Sequence, residues 1–449
     1  MTQVLAFTDE GFGHTSHLVD LGDGSALVVD PARFPTREVA AAGGRGLRLA
    51  YTADTHTHAD YVSGGPALGA GGAEFLAPAA ASLEMPHRGV ADDEVVELAP
   101  AMRLRAIPTP GHTPDHLAYL LEERGAPVAL FSGGSLMAGT VGRTDLLGDD
   151  RRQELARALY RSLRDRILVL PDELVVYPTH GAGSFCSAPV ASSRSTTIGR
   201  ERATNPMLRV RTEDEFVERL IAQSGTVPTY FSRLPELNRR GPRVFAALPS
   251  LPRLSPADAR HRVEAGARVV DTRPVTAFAA GHVRGAVSIA LRPNFATWFG
   301  WLLSPDDEVI FVLDEDQDRA DLVRQCLTVG FEHLAGEVEG GMDAWRADDL
   351  PVDTIEIVDA ADVDGAVLDV RQVAEYRGGH VPGARNVELG AIGDERFPDE
   401  PVTVMCGHGE RAATAASVLR RRGARDVAVL LGGPDAWALQ HGVALVTGP

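Results

Sequence analysis

A chain of 449 residues with 44% apolar side chains can bury several separate cores, which excludes a disordered or single-module protein and predicts two to four domains. Its formal charge of -18 disfavours nucleic acid and anionic membrane surfaces as partners, since both reward clustered cations. All 44 basic residues are arginine, so lysine nucleophiles and Schiff bases are excluded, while three widely spaced cysteines, Cys186, Cys326 and Cys406, argue against a disulfide framework and for a reducing, cytoplasmic setting.

The start of the chain has no basic segment followed by an apolar core, and no apolar run reaches the length of a membrane span. Residues 4–29 alternate short apolar runs with Gly and Asp turns and predict hairpin strands. A further apolar run at 47–52 leads into Thr55-His56-Thr57-His58-Ala59-Asp60-Tyr61, where two imidazoles and a carboxylate alternate. In extended backbone, residues two apart share a side, so His56, His58 and Asp60 converge, and these ligand types suit zinc or iron. Residues 60–68 read as helical. Two later turns carry histidine after apolar runs: 110–116, with His112 and His116, and 177–181, with His180. Between them, residues 151–166 predict a helix, since Leu155, Leu159 and Leu163 recur at i, i+4 and i+8. An amphipathic stretch at 213–221 predicts a helical tail, and Pro242, Pro249, Pro252 and Pro256 mark a linker.

Beyond the linker the sequence repeats. Residues 271–286 align without gaps on 369–384, both opening Asp-x-Arg and closing Gly-His-Val-x-Gly-Ala, and 340–345 match 432–437 as Gly-Gly-x-Asp-Ala-Trp. The loops that should correspond differ: Cys406-Gly407-His408-Gly409-Glu410-Arg411 in the second copy, Asp314-Glu315-Asp316-Gln317-Asp318-Arg319 in the first. A cysteine at a helix N-terminus has its thiolate stabilised by the dipole and by Arg411, and Gly407 and Gly409 let amide N–H groups turn inward as an anion cradle. His408 reads equally as a charge-tuning group and as a solvated loop histidine. Cys326, on the apolar face of a helix, reads as core. The acidic loop reads as a docking surface or as a solvated turn.

The first half resembles the metallo-β-lactamase fold, with its His-x-His-x-Asp-His cluster, Gly-His turn, Asp-bearing turn and late His. Gly142-Arg143-Thr144-Asp145 and the turn from Gly181 to Cys186 bring it nearer the persulfide dioxygenases and their rhodanese fusions, and both repeats resemble rhodanese domains. The resemblance implies an α/β chain: a metallo-β-lactamase αββα sandwich at 1–240, a Pro-rich linker at 241–256, a rhodanese-like domain without catalytic cysteine at 257–352, and a rhodanese domain carrying Cys406 at 357–449. It implies sulfide and persulfide metabolism, with a ferrous dioxygenase-like domain coupled to a sulfurtransferase. A small-molecule persulfide or thiosulfate and a thiol such as glutathione would be its partners, and a homo-oligomer is compatible with this reading. Cys406, Arg411, Asp369 and Arg371 are the catalytic candidates.

For the metal, the resemblance implies iron held by His56, His112 and a carboxylate, with zinc the alternative. Two positions depart from the pattern: Tyr61 stands for the final His of the cluster, and Gly134 for the metal-binding Asp. His58 or Asp60 then becomes the third ligand, with His116 and His180 as outer, water-holding groups, and loss of the metal is the remaining alternative. Gly134→Asp is expected to restore the ligand set unless a positive φ excludes it. Cys186 reads as a structural cysteine or as a persulfide holder near the metal. The rival functions are a sulfurtransferase whose first domain is a glyoxalase-type thioester hydrolase or inactive, and a non-catalytic sulfide sensor.

Overall fold

The computed structural model describes residues 3–181, 183–186, 193–363, 366–393 and 400–448. The chain forms two compact units, Met1–Ala247 with Leu327–Gly330, and Leu248–Cys326 with Phe331–Pro449.

In the first unit, one six-stranded sheet follows chain order: Val4–Asp9, His14–Asp20, Ser25–Val29, Arg48–Ala53, Glu74–Pro78, Arg88–Val90. The second is ordered Thr196–Thr197, Val175–Pro178, Ala126–Gly133, Leu117–Glu123, Met102–Pro108, Val95–Ala99. Val19, Leu27 and Leu76 from the first sheet share one core cluster with Leu104, Tyr119 and Phe131 from the second. The outer faces are covered by helices. Ala156 and Leu159 of helix Asp149–Ser162 and Phe216 and Leu220 of helix Glu213–Gln223 pack with Leu120, Leu130 and Val176. On the opposite side Ala42 and Leu68 pack with Leu18 and Val28. Four layers, αββα, follow from this burial, and strands covered on both faces read as continuous apolar runs rather than alternating ones. Each fully buried Leu contributes about 1.5–3 kcal/mol.

The helix expected at 151–166 runs Asp149–Ser162 and continues as a π-turn, Leu163–Ile167, which keeps Leu163 in the core. Thr212 caps the Glu213–Gln223 helix by accepting from the Glu215 N–H, a contact of about 1 kcal/mol. The helical stretch expected from Asp60 begins only at Gly65 (Gly65–Ala70), leaving residues 56–63 in turns free to present side chains.

The second unit holds two parallel sheets. Their spatial orders are Arg253–Leu254, Leu334–Val338, Val309–Val312, Arg268–Asp271, Val287–Ser288, and Glu356–Val358, Val427–Leu430, Val402–Met405, Ala366–Asp369, Arg385–Asn386. Numbered within each copy both read 1-5-4-2-3, so the sequence repeat is a repeat of topology. Part of the Pro-rich stretch already belongs to this unit: Arg253–Leu254 is a strand, and Ser255 caps helix Pro256–Glu264. Among the described residues no helix is long and apolar enough to cross a membrane.

Candidate metal centre and sulfur-transfer loop

The histidines sit where strands end. Arg48–Ala53 runs into the loop bearing His56, His58 and Asp60, Met102–Pro108 into the turn bearing His112 and His116, and Val175–Pro178 into His180. His56, His112 and His180 are buried, and their ligand nitrogens lie within 4.8 Å of one another.

Hydrogen bonding sets the tautomers. The Thr55 hydroxyl donates its single proton to Asp30 Oδ2 at 2.8 Å, so toward His56 Nδ1, also at 2.8 Å, it accepts. His112 Nδ1 lies 2.8 Å from the Arg143 carbonyl, which only accepts. Both rings therefore carry hydrogen on Nδ1 and a lone pair on Nε2. These Nε2 atoms, and both nitrogens of His180, are buried without a hydrogen-bond partner. Burial first, then the neighbouring histidines, pushes the His56 imidazole well below its ordinary value, and burial with His180 takes His112 down to about 3. Two neutral imidazoles, His56 and His112, and the His180 ring converge in a buried pocket with open Nε2 atoms, an arrangement that fits a divalent metal ion.

The third member of this group is His180, while His58 and Asp60, the alternatives expected from spacing, keep His58 Nδ1 and both Asp60 oxygens buried without a hydrogen-bond partner. His58 Nε2 is taken up by Asp30 Oδ1 at 3.2 Å and by the Tyr61 hydroxyl at 3.2 Å, with the Tyr61 ring stacked on it. Burial lowers His58, but Asp30, Asp54 and Asp60 outweigh this and hold it up at about 9. Asp60 lies 3.4 Å from His180 Nδ1; burial would raise its carboxyl, and His180 leads the groups that bring it to about 2. His58, Asp60 and His180 form a second close group. His116 is consumed by the fold: Nε2 accepts from the Gly134 N–H at 2.9 Å, and Nδ1 meets Thr109 Oγ1 at 2.8 Å.

Gly134 also decides where no carboxylate can stand. Its φ is not positive, yet a Cβ there would lie 2.2 Å from His112 Cδ2. The His112 ring fills the space, so the expectation that Gly134→Asp restores a ligand is overturned by packing rather than by backbone strain.

Asp30 and Asp54 escaped the sequence reading. Asp30 ends the Ser25–Val29 strand at φ 50 and accepts from the Thr55 N–H at 2.7 Å and from the Thr179 hydroxyl. Asp54 is raised to about 7, chiefly by burial. An aspartate closing an apolar run was the only available signal. Arg143, by contrast, is a visible motif residue: its guanidinium pairs with Asp145 at 2.6 and 2.8 Å and donates to the carbonyls of Phe185, Gly225 and Thr226. Cys186 is fully buried, and burial, then Asp60, pushes its thiol well up.

In the second unit, Cys406 is 2% exposed between strand Val402–Met405 and helix Glu410–Arg421, and its Sγ accepts from the Gly409 N–H at 3.1 Å. Gly409 has φ 96, and a Cβ there would meet Leu431 Cδ2 at 2.8 Å, so only glycine turns this amide onto the sulfur. Arg411 forms a two-pronged pair with Glu375 at 2.7 and 2.8 Å. Asp369 and Arg371 are buried and tied together: Arg371 holds both Asp369 oxygens and donates to the Gly379 carbonyl at 2.8 Å. Asp271, Arg273 and the Gly281 carbonyl repeat this clamp at 2.8 Å in the copy without cysteine. The pair is therefore a device of the fold, and its removal by half would cost about 3–5 kcal/mol. Cys326 is buried in the core.

The rhodanese-like domain family matches residues 255–348 and 351–440. The persulfide dioxygenase ETHE1, mitochondrial, of Homo sapiens is 30% identical over 199 residues, 43% of this chain and 70% of that protein. A hydroxyacylglutathione hydrolase of Cupriavidus taiwanensis is 31% identical over 232 residues, 44% of this chain and 80% of that protein. The crystal structure of a metallo-β-lactamase from Staphylococcus aureus superposes with a TM-score of 0.66 at 25% identity, covering 75% of this chain and 98% of that one. With its αββα first unit and twofold repeated second unit, the chain belongs to the metallo-β-lactamase-fold, persulfide dioxygenase-like proteins fused to two rhodanese-like domains.

Proposed function

We propose that this protein is an enzyme of sulfur metabolism that carries sulfane sulfur as a persulfide on Cys406 and oxidises a small-molecule persulfide in its first unit. The observation that carries the reading is the Cys406 loop, where the sulfur receives the Gly409 amide at a helix N-terminus. With thiosulfate as donor, the Cys406 thiolate attacks the sulfane sulfur, the donor S–S bond breaks, and sulfite leaves with the electron pair. An acceptor thiolate then attacks the outer sulfur and returns Cys406 as thiolate. Gly409 N–H steadies the anionic sulfur throughout, and the Asp369–Arg371 clamp holds the adjoining strand end.

In the first unit His56, His112 and His180 would hold the metal, iron in the first instance and zinc in the second. When bound, iron would supply the redox partner for a persulfide, dioxygen and water to yield thiol, sulfite and protons. The chain's own part is to fix the rings: Thr55 and the Arg143 carbonyl orient His56 and His112, and burial excludes bulk water. A two-metal hydrolase reading is weaker, because Asp30 and Tyr61 already occupy His58 Nε2.

Cys406→Ser tests the transfer. Turnover of thiosulfate with cyanide should fall by roughly 10⁴-fold or more, while Cys326→Ser leaves it unchanged. Transfer retained in Cys406→Ser would overturn the assignment. Metal content of protein purified without oxygen, with dioxygen uptake on glutathione persulfide, checks the first unit separately.

A further inference from the structure

At the far end of the helix that begins beside Cys406 lies a cleft of about 360 Å³ between the two rhodanese repeats, at the lower end of small-molecule sites. The first repeat contributes Arg284 to its wall and the segment joining the repeats contributes Asp353; the second repeat contributes Ser417, Arg420, Arg421 and Arg425. Four arginines thus face one carboxylate in a chain whose formal charge is -18. Asp353 is partly spent on Arg284, at 3.2 Å, and Arg420 donates to the Arg425 carbonyl. Arg421 makes no ion pair among the described residues. Its guanidinium is pushed below its ordinary value by desolvation and by Arg268 and Arg422, with Asp307 acting the other way.

Arginine in the last turn of a helix is ordinary, since it complements the negative end of the dipole. That accounts for Arg420 and Arg421 singly, but not for Arg284 and Arg425, which approach from other segments. The repeat supplies an internal control. In the first copy the residues matching Arg420 and Arg421 are Thr328 and Val329, and in the second copy the residue matching Arg284 is Pro382. The arginines appear only on the sides that line this cleft. All four are exposed to solvent, so water and salt temper their mutual repulsion, and an anion seated among them would relieve what remains.

We infer that this cleft binds a small oxyanion carrying two or more negative charges, at a site separate from Cys406. From Glu410 to Arg421 the helix spans roughly 16 Å, so the ligand sits too far from the sulfur to be the transferred group. Guanidinium forks recognise phosphate and sulfur oxyanions through the same paired N–H geometry.

Calorimetry on the full-length protein with inorganic pyrophosphate, at constant ionic strength, tests the site. Binding to one site is expected, weakened at least tenfold in Arg421→Gln and in Arg284→Gln and retained in Cys406→Ser. Competition by thiosulfate would make the occupant a sulfur oxyanion, and its failure a phosphate-bearing one. Heats no larger than those of chloride, or undiminished binding in the double variant with unaltered thermal unfolding, would overturn the inference.

Discussion

In loop 314–319 Arg319 pairs with Glu337 at 3.1 and 3.0 Å and turns its remaining nitrogen, Nη1, inward to donate to the carbonyls of Asp314, Glu315 and Gln317 at 2.8, 2.9 and 2.7 Å. In loop 406–411 the matching Arg411 turns to the carboxylate of Glu375, and the interior is left to Sγ and the Gly409 amide. Gln317 completes the first loop by bonding the Thr272 carbonyl at 2.7 Å and receiving the Asp314 N–H at 2.9 Å. One loop carries its own cation and so has nothing to offer an anion. The other keeps its cation at the rim. The first unit shows a related contrast at close range: Asp30 and Tyr61 engage His58 Nε2, whereas the Nε2 atoms of His56, His112 and His180, like His58 Nδ1, are buried without a hydrogen-bond partner. An open site is recognised by what its polar atoms lack.

The contrast can be broken at its open ends first. His180→Ala should lower metal affinity by roughly 100-fold, read by metal analysis after dialysis, because it removes one of three converging donors. Tyr61→Phe, on the satisfied side, should leave metal content nearly unchanged. Gly134→Asp should lower metal content by roughly tenfold rather than raise it, since its Cβ displaces the His112 ring. Higher iron content in that variant would show that the ring yields.

Smaller effects belong to the rim of the sulfur loop. Arg411→Ala should slow transfer by about tenfold, or ~1.4 kcal/mol of transition-state stabilisation, without changing the folded state seen by circular dichroism. Glu375→Gln should change it by about threefold or less, the scale of a partly exposed ion pair. Burial would raise the Glu375 carboxyl, but Arg411 holds it below its ordinary value. The tie is therefore present at neutral pH and lost as pH falls through that depressed value, where the rates of parent and Glu375→Gln should converge. The smallest effect is none at all: Asp314→Cys should not create transferase activity, because Arg319 still fills the loop. Persulfide labelling at residue 314 would contradict this.

Much of the molecule is legible in the sequence. The gapless match of 271–286 on 369–384 announced two copies of one topology, and the sheets agree strand for strand. Continuous apolar runs and the i, i+4 leucines of 151–166 announced buried strands and a covering helix, because burial on given faces dictates residue type locally. The histidine turns and the single cysteine loop were equally plain, since they sit in glycine- and proline-bounded segments after strands.

What the sequence by itself determined is which chemistry-bearing side chains exist and which element each follows, because propensity and periodicity act within a few residues. Which of them meet was decided by tertiary structure alone. His180 joins His56 and His112 because two sheets bring three strand ends together, over separations that no spacing rule spans. His116 and Asp369, alike in type to the candidate site groups, bond within a turn and a clamp. Gly134 denies a carboxylate its place because an imidazole from another strand end already stands there, and excluded volume between distant segments has no signature in either one.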